Sequence, residues 1–146
     1  VRYLGLDVGD ARIGVALSDE TGTLASGLPT LRRAGPRKDV KAVAALVRER
    51  GVGVVVVGVP WRLDGTAGPQ AEKVMGFVES LRRAVHVPVE SWDERLTTVA
   101  ADELLAEAGV RRRDRKERID RAAAVLILQG YLDSRRSGTA SSGVEA

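Results

Sequence analysis

The chain has 146 residues, enough for one compact domain and too few for a two-domain enzyme. It has no cysteine and one histidine, so disulfides, thiolate nucleophiles, sulfur-ligated zinc and histidine-based triads drop out, and carboxylates are left to carry any catalysis. Basic residues exceed acidic ones by 23 to 20, and no apolar run approaches the roughly 18 to 20 residues of a membrane span, so a soluble, intracellular protein is expected.

Taken in chain order, Leu4, Leu6 and Val8 alternate with Tyr3, Gly5 and Asp7, as in a strand with both faces largely covered. Gly9, Asp10 and Ala11 supply turn chemistry, and IGVALSD continues as a second strand. A third strand is predicted over 24–31, interrupted near Pro29. Val40, Val43, Ala44, Leu46 and Val47 recur at helical spacing, giving a helix over about 38–50 that stops at Gly51. The β-branched run GVVVVGVP, 53–60, reads as a central parallel strand buried on both faces. A second helix follows over about 68–84. VHVPVES, 85–91, is a fifth strand, and Pro88 sends it to an edge. Two more helices, about 96–108 and 114–133, are separated by Gly109 and the basic run RRRDRKER, 111–118. The order βββαβαβαα makes an α/β sandwich whose later strands cross over through helices. Residues 1–133 form the domain, and the small, polar segment 134–146 is a disordered tail.

Three carboxylate positions stand out on this map. Asp7 lies near the carboxyl end of the first strand, inside an apolar run. Asp93 and Glu94 follow the fifth strand in SWDERLTT. Asp120 shares a helical stripe with Ala123, Ala124, Ile127, Leu128 and Tyr131, the core-facing side of the last helix. A carboxylate at such a place costs desolvation unless it is paired, protonated or bound to a cation. Two of them, drawn from opposite ends of the chain, fit one explanation: they converge, and divalent ions neutralise them. Oxygen-only ligation favours Mg²⁺ or Mn²⁺ over zinc, and a pair of such ions suits phosphodiester cleavage. Local roles compete at each position. Asp7 could cap its turn or pair with Arg12, Asp93 could be a helix N-cap, Glu94 a surface residue, and Asp120 the partner of an arginine.

DVGDARIGVALSD (7–19), VVGVPWRLDGTAG (56–68), DERLTT (93–98) and IDRAAAVLILQGYL (119–132) resemble, in order, the motifs of the YqgF/RuvX family of the ribonuclease H-like superfamily. The resemblance covers residues 1 to about 133. It implies a five-stranded mixed sheet, three antiparallel strands and then two parallel. It also implies a cytoplasmic nuclease acting in 5′-end maturation of precursor 16S rRNA or as a Holliday junction resolvase. Asp7, Glu94 and Asp120 are then the catalytic cluster, with Asp7, Asp93, Glu94 and Asp120 as metal-ligand candidates. Glu94 is preferred over Asp93 for its reach. Arg12 and Arg95 could hold a phosphate oxygen or balance the carboxylates. Arg111, Arg112, Arg113, Arg115 and Lys116 would hold flanking backbone, and Trp61 and Trp92 could stack bases or fill the core. Expected partners are precursor rRNA and branched DNA, with ribosome association, no membrane, and a monomer or weak homodimer. Two rivals remain: LGLDVG also resembles the first phosphate loop of sugar kinases and actin-like ATPases, which need two such domains, and the basic runs alone would suffice for a non-catalytic nucleic-acid-binding module.

Overall fold

The computed structural model describes residues 1–93 and 112–137, with side chains described up to 93 and from 121 to 135. The helix expected over 96–108 and the tail beyond 137 lie outside the described residues. Strands β1 (Arg2–Val8), β2 (Arg12–Ser18), β3 (Ala25–Arg32), β4 (Val52–Val59) and β5 (Val89–Asp93) form one sheet in the order β3-β2-β1-β4-β5. The first three strands are antiparallel, and β4 and β5 run parallel to β1. Helices α1 (Pro36–Glu49) and α2 (Pro69–Ala84) cover one face. Helix α3 (Arg112–Ser137) covers the other. No described helix is long and apolar enough to cross a membrane.

Alternation along each strand builds two cores back to back. On the α1/α2 side, Leu4, Leu6, Ile13, Val15, Val55 and Val57 pack against Val43, Val47, Val74, Phe77, Val78 and Leu81. Across the sheet, Ala16 and Val56 meet Ala124, Ile127, Leu128 and Leu132. Both helices on the first side open with proline at N1, which loses no needed N–H there, and α1 passes into Gly51 at φ 62°. Gly5 lets α3 lie close on β1, because a Cβ there would stand 2.7 Å from Cβ of Leu128.

Of the boundaries that differ from the expectation, three have a clear physical reason. β5 begins at Val89 rather than residue 85, since Pro88 has no N–H for the ladder and contributes only its carbonyl, which accepts from Val55 N at 2.9 Å. The basic run expected between two helices is helical from Arg112, as the helix preference of arginine and lysine allows. At its other end α3 continues four residues past 133. Arg135 lies over the rings of Tyr3 and Tyr131, at 5.8 and 5.9 Å, and gives the last turn a packing partner.

Candidate active site

The carboxyl ends of β1, β4 and β5 lie side by side. Asp7, the next-to-last residue of β1, is half-buried, pairs in register with Gly14 of β2, and belongs to the α3 face with Tyr3 and Gly5. The path of α3 over β1 can be followed in steps. The Tyr131 ring meets Tyr3 at a centroid distance of 5.8 Å, and Leu128 and Ala124 lie against Gly5. One helical turn further advances about 6 Å, and two strand residues advance about 6.6 Å. The series therefore runs α3 antiparallel along β1, toward the strand end that carries Asp7.

Register also sets which face each residue of β5 belongs to. Val56 pairs with Glu90 and Gly58 with Trp92, on the α3 face. Glu90 accepts a 2.5 Å hydrogen bond from the Tyr131 hydroxyl, and Trp92 meets the Tyr131 ring edge-on at 5.9 Å. Asp93 is exposed, pairs with Val59, and by alternation belongs to the opposite face from Asp7. Glu94, Arg95 and Arg111 lie outside the described residues. Arg112, Arg113, Arg115 and Lys116 lie in the first turns of α3, where only the backbone is described. Among the described residues no three metal-ligating side chains assemble.

Arg12, half-buried at the start of β2, shares Asp7's face through Gly14 and Ala16. Both tryptophans are half-buried. Trp61 is half-buried against the α1/α2 core, and Trp92 lies against Gly130 and Tyr131. Asp64 caps its own turn, accepting from Thr66 N at 3.0 Å and Thr66 Oγ1 at 2.7 Å.

One supporting residue escaped the sequence reading. Asp39 is 3 % exposed, the only buried charged residue among those described. Its carboxylate accepts from Arg33 Nε at 2.7 Å and Ala34 N at 2.9 Å, while Arg33 Nη1 donates to the Gly9 carbonyl at 2.5 Å. The β3-α1 loop is thereby tied to the turn that follows Asp7. An aspartate in the first turn of a helix reads as an exposed dipole partner, so only the fold of the loop over it reveals the burial. On the opposite side, burial and the neighbouring Glu90 push the Tyr131 hydroxyl up to about 12.

The comparisons with known proteins enter on this geometry. RuvC of T. thermophilus, solved in complex with a Holliday junction substrate, matches with a TM-score of 0.61 at 18 % identity, over 95 % of this chain and 98 % of that one. The fowlpox virus Holliday junction resolvase matches with a TM-score of 0.57 at 14 % identity, over 92 % and 99 %. At these identities the likeness carries the fold, and the chain is an α/β protein of the ribonuclease H-like fold. A family model described as RuvX, Holliday junction resolvase, matches residues 1–134. A protein of Thermoanaerobacter pseudethanolicus named "putative pre-16S rRNA nuclease" is 51 % identical over 138 residues, 94 % of this chain and 99 % of its own length. One of Clostridioides difficile with the same name is 51 % identical over 132 residues, 90 % and 94 %. The chain belongs to the RuvX family.

Proposed function

We propose that this chain is a divalent-metal-dependent nuclease that hydrolyses phosphodiester bonds in the cytoplasm, in 5′-end maturation of precursor 16S rRNA. What supports the reading is the antiparallel course of α3 along β1, which carries Asp120 toward Asp7 at the carboxyl edge of the central strands, in a chain half identical to relatives whose names give that activity. The donor set fits a hard cation, since Asp7, Asp120 and the position-94 carboxylate offer oxygen alone. Asp7, Glu94 and Asp120 would hold it, and the alternation of β5 favours Glu94 over Asp93. When bound, Mg²⁺ or Mn²⁺ supplies Lewis acidity at the scissile phosphate and eases deprotonation of the attacking water.

The chain's own residues do the rest. The apolar flanks of β1, Leu6 and Val8, hold Asp7 in a fixed strand geometry. Arg12, on the same face, holds a phosphate oxygen by paired N–H donors. The basic residues of the first turns of α3 add a longer-range attraction. Cations at a helix N-terminus oppose the macrodipole, so their clustering there favours an anionic partner over helix stability.

Junction resolution is the second reading, favoured by the description of the matching family model. The test compares wild type with Asp7→Asn and Asp120→Asn on labelled precursor-rRNA leader, generic single-stranded RNA and a four-way DNA junction, each with Mg²⁺, Mn²⁺ or EDTA. Metal-dependent cutting of RNA that both substitutions abolish is the expected result. Paired symmetric cuts in the junction would favour the resolvase, and no cutting with either metal would leave a binding module.

A further inference from the structure

The edge strand β3 carries a β-bulge whose effect is to turn two side chains around. Ile13 pairs with Leu31 and Val15 with Leu28, so β3 advances three residues while β2 advances two, and Gly14 faces both Pro29 and Thr30. Leu28 and Leu31 pack on the α1/α2 core, whereas Ala25 and Gly27 meet α3. Without the extra residue, Thr30 and Arg32 would share the parity of Leu28 and point into the apolar core. With it, they stand on the face that carries Asp7. Pro29 is tolerated because β3 is an edge strand.

The bulge also sets two arginines side by side, since Arg32 pairs in register with Arg12. The Arg32 guanidinium has no ion-pair partner among the described residues, and Ala11, Arg12, Thr30 and Arg32 line a concavity of about 420 Å³. Strand spacing sets this concavity about 8 to 12 Å from the Cα of Asp7. Two arginines and a threonine around one hollow match a tetrahedral oxyanion.

We infer that Arg12, Thr30 and Arg32 form a clamp for a phosphodiester flanking the one to be cut, with the Pro29 bulge as the device that builds it. The inference rests on the nuclease reading for the identity of the anion, a backbone phosphate of a single-stranded nucleic acid. Arg32 and Thr30 are thus substrate-positioning residues on the β3 side of the site.

The test measures binding of a single-stranded RNA leader by the full chain in the non-cutting Asp7→Asn background, as a function of salt. Adding Arg32→Ala weakens binding about tenfold, the scale of one lost hydrogen bond to a charged group. It also lowers the salt slope by about 0.7, the value for one phosphate contact on a single strand. Arg50→Ala, which removes the same charge at the far end of α1, changes neither. A scan of single methylphosphonates along the RNA finds one position that weakens binding to the chain with Arg32 and not to the chain with Arg32→Ala. Unchanged affinity and slope in Arg32→Ala, a loss equal to that of Arg50→Ala, or a loss on RNA without the same loss on single-stranded DNA would overturn the clamp. Absence of cutting by wild type would count against the nuclease reading alone, since the binding measurements decide the clamp without it.

Discussion

Replacing Asp39 by alanine tests whether the tie between the β3-α1 loop and the turn after Asp7 holds the site together. The substitution removes the acceptor of Arg33 Nε at 2.7 Å and of Ala34 N at 2.9 Å. Breaking a fully buried pair costs about 3 to 5 kcal/mol, because the surviving charge is left desolvated. Here the survivor, Arg33, has a side chain 26 % exposed and keeps its bond to the Gly9 carbonyl, so part of that cost is recovered by hydration. The expected loss is about 2 to 4 kcal/mol, a substantial share of the roughly 5 to 15 kcal/mol that holds a domain together. Urea unfolding followed by circular dichroism, on wild type, Asp39→Ala, Arg33→Ala and the double variant, measures the loss and the coupling. The two single effects are expected to be non-additive by about 1 to 3 kcal/mol, as for groups in one hydrogen-bonded network. Gly9 is two residues from Asp7, so cleavage per folded molecule also falls in Asp39→Ala. A stability loss below about 0.5 kcal/mol, the range of a surface substitution, or additive single effects would refute the argument.

Three further outcomes follow from the same geometry. Gly5→Ala puts a Cβ 2.7 Å from Cβ of Leu128; it is expected to cost about 1 to 3 kcal/mol of stability and to lower cleavage beyond the loss of folded protein, and native cleavage at full stability would contradict the close seating of α3. Glu94→Gln is expected to lower the cleavage rate more than about 100-fold and Asp93→Asn less than about threefold, and the reverse order in a single-turnover assay would sink the parity argument. The Tyr131 hydroxyl is raised from 10.0 to about 12, so the fold favours its neutral form; that contribution is complete below pH 10 and is lost as pH rises through 12. Unfolding midpoints measured from pH 9 to 12 should therefore fall more steeply for wild type than for Tyr131→Phe, and parallel curves would refute the burial of that hydroxyl.

Much of this protein is legible in the order of its residues. The alternation of Leu4, Leu6 and Val8, the unbroken β-branched run at β4, and the stripe through Ala124, Ile127 and Leu128 specify strands and helices by their own periods. The out-of-place carboxylates, Asp7 and Asp120, can be picked out by the same periods, since a charge on an apolar face breaks a pattern within its own segment. Everything that depends on which residue meets which across the chain needed the fold. Register put Asp93 on the face opposite to Asp7. The covering loop made Asp39 a buried tie. One extra residue at Pro29 turned Arg32 onto the face of Asp7, a change of parity that no count along β3 alone reveals, because a bulge is defined only against the partner strand.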